Sequence, residues 1–158
     1  VNKYLDSELA TVGNVGAGED ILATFTLTAA QLATNGETIK GVYWGATANN
    51  ATVKTIRIRL IEGANNTVLL SFAPTVSELG HWIVGFAAIR TAATTFRAAA
   101  QGIVGPSNDT STKSVTNMTA SSTATWANAV EVRLTGEATA GADNDITMQG
   151  GFITLVSV

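Results

Sequence analysis

Apolar and polar residues alternate along most of this chain. In VKTIRIRLIE, Ile56, Ile58 and Leu60 face one way, while Thr55, Arg57 and Arg59 face the other. TWANAVEVRL repeats the pattern, with Val130, Val132 and Leu134 opposite Glu131 and Arg133. In DILATFTLT, Ile21, Ala23, Phe25 and Leu27 stand against Thr24, Thr26 and Thr28. Successive side chains of a pleated strand point to opposite faces, so each segment predicts one wet face and one dry face. The Thr, Val and Ile at these positions suit strands, because branched side chains pack well on a pleated surface. A helical tendency shows only in TAAQLA at 28–33, which Asn35-Gly36 stops after about one turn. The chain is expected to be all-β.

Turn formers divide the alternating segments. Asn35-Gly36, Asn49-Asn50, Gly63-Ala64-Asn65-Asn66 and Gly105-Pro106 suit turns, since Gly and Asn tolerate positive φ and Pro fixes its own. They separate candidate strands near 8–15, 20–28, 38–47, 53–62, 67–73, 81–91, 94–104, 125–135 and 146–157. Eight or nine short strands at this spacing fit a sandwich or barrel. GPSNDTSTKSVTNMTASSTA, 105–124, reads as a long exposed loop, with a short strand at 114–119 as a variant of that reading. Residues 1–18 read as an N-terminal arm or edge strand, and 19–158 as the β domain. Gly13-Asn14-Val15-Gly16-Ala17-Gly18 is expected to be a flexible entry into the first core strand.

One strand is apolar on both faces. HWIVGFAAIR places Trp82, Val84, Phe86 and Ala88 on one side and Ile83, Ala87 and Ile89 on the other. Such a strand is ordinarily covered on both sides. Either a loop or the 28–33 helix lies over it, or another copy of the chain does. The next segment, with Ala98, Ala99 and Ala100, carries the same ambiguity, and its small side chains allow a partner to approach closely. The candidate subunit or partner interface is therefore Trp82, Ile83, Phe86, Ile89, Ala98 and Ala100.

Composition narrows the chemistry. With 46% hydrophobic residues in 158, the chain has ample material for a core and is not disordered in character. A net charge of −3 argues against electrostatic binding of a nucleic-acid backbone. There is no Cys and a single His, His81, so thiolate chemistry and multi-histidine metal sites are excluded. No apolar run reaches the roughly 18 residues of a membrane helix, and VNKYLDSELA lacks the apolar centre of a signal peptide. No Gly-x-Ser-x-Gly motif partners His81, and the acids are scattered, so no catalytic residue and no cofactor are expected. Asp143-Asn144-Asp145 is a calcium candidate through Asp143 and Asp145, because calcium takes carboxylate oxygens. The segment lacks the rest of a calcium loop, and a turn is the competing reading. Tyr43, Trp44, Trp82 and Trp126 offer either a sugar-stacking platform or core anchors.

The order of segments is also familiar. ATFTLTAAQLATNGETIKGVYWGAT is followed by VKTIRIRL, TVLLSF, the Trp-led HWIVGFAAIRTAATTFRAAAQ, and the closing WANAVEVRLTGEATAGADNDITMQGGFITLVSV. Over about 20–158 this succession resembles the small jelly-roll structural proteins of tailed bacteriophages, which serve as capsid decoration or cement proteins or as parts of head and tail fibres. The resemblance implies a tumour-necrosis-factor-like jelly roll of about eight to nine antiparallel strands, often trimeric, without catalytic residues. It implies a virion protein on the capsid exterior, a homotrimer bound to the major capsid protein or other virion proteins, with no nucleic acid or membrane partner. A head or tail fibre role, or a carbohydrate-binding receptor-recognition module, is the alternative.

Overall fold

The computed structural model describes residues 2–29, 31–74, 80–106 and 113–158, with Pro106 and 113–123 described as backbone. Eleven strands are present: β1 (Asn2–Glu8), β2 (Val12–Gly13), β3 (Gly18–Leu27), β4 (Thr38–Thr47), β5 (Lys54–Glu62), β6 (Asn65–Phe72), β7 (Gly80–Ala92), β8 (Thr95–Pro106), β9 (Lys113–Thr123), β10 (Val130–Ala138) and β11 (Ile146–Val156). They form two antiparallel sheets. The larger runs β1-β11-β4-β7-β8-β9, with β2 also on β11, and the smaller runs β3-β10-β5-β6.

The pairing is nested. β5 and β6 form a hairpin at the centre, β4 pairs with β7, β3 with β10, and β1 with β11. Each successive pair encloses the last, and the pairs fall alternately in the smaller and the larger sheet. That is a jelly-roll β-sandwich, the expected fold class. The β8–β9 hairpin is inserted between β7 and β10 and extends the larger sheet past β7.

Alternation works as expected where the ladders are regular. Ile56, Ile58, Leu60, Val130, Val132 and Leu134 are all buried between the sheets. Ile21 is the exception. Leu134 pairs with Ala23 and Thr135 with Ile21, so Leu22 is the extra residue of a β-bulge. The bulge reverses the phase: Leu22 is buried and Ile21 is 50% exposed.

Glycines set the packing of the larger sheet. Trp82 lies opposite Gly45, Phe86 opposite Gly41, and Tyr43 opposite Gly151. In each pair the ring lies over its glycine: a Cβ at Gly45 would meet Trp82 Cζ2 at 2.5 Å, and one at Gly41 would meet Phe86 Cε1 at 2.6 Å. A strand glycine leaves a gap that a cross-strand aromatic can fill. Across the sandwich, Phe72 of β6 fits Gly102 of β8 in the same way. Beyond them Phe96 and Trp126 meet edge to face, with ring centroids 5.6 Å apart. Trp82 Nε1 donates to the Ala46 carbonyl and Trp126 Nε1 to that of Thr95, so neither buried indole lacks a partner.

Three local expectations change. No helix occurs among the described residues; around 28–36 the chain turns, and Leu32, at φ 59°, is buried in the core. Arg90 holds that turn by donating to the Leu32 carbonyl and to Asn35 Oδ1. Within 105–124, β9 is an eleven-residue strand, longer than the short one considered. The 13–18 segment is pinned rather than loose. Buried Asn14 exchanges backbone bonds with Ile146 and Asn144, and its Oδ1 accepts from Ile146 N at 2.8 Å.

A paired substitution tests the glycine packing. Gly41→Ala is expected to destabilise by about 1–3 kcal/mol, since its Cβ would meet the Phe86 ring and, at 3.0 Å, the Phe152 carbonyl. Gly85→Ala, on the adjoining strand, has nothing nearer than 3.9 Å and is expected to gain about 0.4–1 kcal/mol. Thermal melts of both variants should shift in opposite directions.

Candidate docking face on the larger sheet

The register of the central strands fixes what the larger sheet presents outward. β4 contributes Thr38, Lys40, Val42, Trp44 and Ala46, and β7 contributes His81, Ile83, Gly85, Ala87 and Ile89. β8 adds Arg97, Ala99, Gln101 and Ile103, and β11 adds Gly150, Phe152, Thr154 and Val156. Trp44 is 40% exposed, Ile83 43% and Ile89 39%, on a face whose central positions are mostly apolar. Trp44 lies over Gly150, its register partner, so the indole is folded down onto the sheet. Beside it runs a shallow groove of about 430 Å³, floored by Gly85, Ala87 and Ala99 and flanked by Val42, Ile83 and Ile103.

No Asp or Glu occupies these outward positions. Lys40 and Arg97 are the cations there, and neither has an ion pair among the described residues.

The smaller sheet differs in its charge: its outer face exposes Ile21 and Val68 but is otherwise dominated by paired ions. Its outer face carries Arg57, Arg59, Arg133, Glu19, Glu131 and Glu137, joined in ion pairs: Arg59 with Glu19 at 2.9 Å, Arg57 with Glu19 and Glu137, and Arg133 with Glu131. Burial works against the Glu19 charge, yet hydrogen bonds from Thr135 and Arg59 and the nearby Arg charges hold its carboxyl below the usual range. The Arg133 hydrogen bond does the same for Glu131. Such a face is self-neutralised and suited to water.

The predicted interface residues divide between two environments. Trp82, Phe86, Ala98 and Ala100 point into the sandwich and are buried there, so their side chains are core rather than contact surface. The period of two requires this: when Ile83 and Ile89 point outward, their even-numbered neighbours point inward. The 28–36 turn sits at the Arg90 end of β7 and leaves Ile83 and Ile89 exposed. Val42, Trp44, Gly85 and Ile103 were not among the predicted interface residues. The alternation of VYW and of AAAQGIV marks them as one face, but the sheet order was needed to join them.

The other candidates have structural partners. Asp143 Oδ1 accepts from Gly16 N at 2.8 Å, whereas buried Asp145 accepts from Asn50 Nδ2. Asn50 Oδ1 in turn accepts from buried Lys54 Nζ at 2.8 Å, and the Thr52 carbonyl from the same ammonium at 3.0 Å. The two aspartates therefore serve different contacts, and Asp145 lies near the charge of Lys54. Among the described residues no group of three or more His, Cys, Asp or Glu is placed to hold a metal. Of the aromatics considered for sugar stacking, Tyr43, Trp82 and Trp126 are core, leaving Trp44 outside.

No protein-family model and no curated protein matches the chain. Solved structures show distant likeness. The CBM2 module of the evolved Dit of Lactobacillus casei BL23 phage J-1 aligns over 83% of this chain and 67% of its own, at 7% identity and a TM-score of 0.41. The infectious bursal disease virus Gx strain structure aligns over 99% of this chain but 31% of its own, at 8% identity and a TM-score of 0.29. The VP2 subviral particle of that virus aligns over 99% and 41%, at 9% identity and a TM-score of 0.29. The jelly-roll assignment follows from the strand order of this chain alone.

The carboxylates give a pH dependence. Glu62 accepts from Asn128, Asn65 and the Thr125 amide, which hold its pKa below the ordinary 4.5. The stability that Glu62, Glu19 and Glu131 contribute is complete above that value and is lost as pH falls through their lowered folded values. Melts between pH 7 and pH 3 should show the decline, with a shallower slope in Glu62→Gln.

Proposed function

We propose that this chain is a non-enzymatic structural protein of a bacteriophage virion, acting as a decoration or cement protein on the capsid exterior. The observation that carries the reading is the contrast between its two outer faces. One is saturated with internal ion pairs; the other presents Trp44, Ile83, Ile89, Ile103 and Phe152 with no carboxylate among them. Apolar surface of that extent on a sandwich face is stabilised when another protein covers it. The small-residue floor of the groove allows a close approach, and a nested β-sandwich provides a stiff support. In this role the protein bridges neighbouring major capsid proteins and is assembled as a homotrimer.

Trp44 favours a second reading. Its indole lies flat over Gly150 and is 40% exposed, the posture of a stacking platform for a sugar ring. On that reading the domain recognises a receptor glycan from a head or tail fibre. The neighbours of Trp44 along the sheet, Ile83 and Val42, are apolar and offer a sugar few hydrogen bonds, which places decoration first.

Co-sedimentation with capsids of the parent phage lacking this protein separates the two. Wild-type protein is expected to bind, and Ala99→Lys, at an exposed position in the groove, to bind at least about tenfold more weakly, a change of about 1.4 kcal/mol. Absence of wild-type binding overturns decoration. Glycan-array binding abolished by Trp44→Ala would favour receptor recognition instead.

A further inference from the structure

We infer that Lys54 and Asn50 join in an intramolecular isopeptide bond, formed by aminolysis of the Asn50 side-chain amide with Asp145 as the proton carrier. The site lies where the 48–53 and 139–145 loops meet, and it is independent of the docking face.

Lys54 opens β5 on the inner face, in line with Ile56 and Ile58, and is fully buried. Asn50 lies in the loop that leads into β5, and Asp145 immediately precedes β11. Asp145 is buried as well, and its Oδ2 has no hydrogen-bond partner among the described residues. Gly141 closes over that oxygen: a Cβ there would meet it at 2.2 Å.

A simple buried ion pair would set the ammonium against the carboxylate. Here the hydrogen bonds of Nζ among the described residues go to Asn50 and Thr52, and the Asn50 amide is held at both ends. Its Oδ1 accepts from Lys54 Nζ at 2.8 Å and from the Thr52 backbone N–H at 3.1 Å, whereas its Nδ2 donates to Asp145 Oδ1. These are the parts that aminolysis needs. The amine stands beside the carbonyl it attacks. The Thr52 N–H is aimed at the oxygen that gains charge during the attack. An acid touches the nitrogen that must leave. Burial weakens the hold of Lys54 on its proton, against the opposing pull of Asp145, and so favours the nucleophilic amine.

The step balances without an added reagent. The Lys54 ammonium passes one proton to Asp145, and the neutral Nζ attacks Asn50 Cγ to form the new Nζ–Cγ bond. Asp145 hands its proton to Nδ2 and takes a second one from Nζ. The Cγ–Nδ2 bond breaks and ammonia leaves. A buried cation and a buried carboxylate thereby become a neutral amide and a neutral acid, which removes the cost of keeping two charges out of water.

Intact-mass spectrometry and tryptic mapping of the folded protein test this. The wild type is expected to be lighter than its sequence by the mass of one ammonia. Trypsin cleaves after a free lysine, so it should pass over Lys54 and release a single peptide from Gly41 to Arg57. Lys54→Arg and Asp145→Asn are expected to carry the full mass of their sequences, and the wild-type readout requires neither variant to fold. A wild type of full mass overturns the inference. So does an ammonia loss with Lys54 still open to trypsin, which marks a succinimide at an asparagine instead. A bond that forms equally in Asp145→Asn overturns the role given to Asp145.

Discussion

The larger sheet depends on rings lying across glycines. Tyr43, Trp82 and Phe86 on the inner side, and Trp44 on the outer, each cover the glycine directly opposite on a neighbouring strand. A side chain in place of Gly41, Gly45 or Gly151 would lift an inner ring and separate the layers. The rings lie down, and the smaller sheet can then approach with Phe72 resting on Gly102. Core density and sheet spacing are thus set by pairs that combine the largest side chains with the absence of one.

The same device operates on both sides of the larger sheet, with different outcomes. Inside, the flattened rings meet the second layer and are buried. Outside, Trp44 on Gly150 makes a smooth shoulder beside the Gly85–Ala87–Ala99 groove. The charged residues are concentrated on the other sheet, where Arg57, Arg59 and Arg133 already have carboxylate partners. The molecule therefore has a side satisfied by itself and water, and a side whose relief favours another surface.

The sequence reveals the strands more clearly than it reveals their partners. Alternation alone locates Ile56, Ile58 and Leu60 in the core, because no irregularity breaks β5 between them. It fails at Ile21, where one extra residue inverts the faces and nothing in DILATF marks it. The 113–123 strand lacks apolar alternation, so its Ser and Thr read as a loop although the backbone pairs with β8. In β7 the pattern separates Trp82 and Phe86 from Ile83 and Ile89 but does not say which set meets the second sheet. That answer requires the long-range pairing of Gly45 with Trp82 and Gly41 with Phe86, invisible in a linear string.

Nested pairing also imposes a schedule on folding. The β5–β6 hairpin closes through a two-residue turn, whereas β3 must find β10 more than a hundred residues later, and β1 must wait for β11. Loop closure across such separations is slow, and rates fall as contacts become less local. Until the outer pairs arrive, β4 and β7 lack their cover, and the rings that later rest on glycines are open to strangers. At high concentration each molecule passes through that interval beside others, so the yield of folded protein is governed by crowding among half-closed molecules as much as by the strength of the finished sandwich.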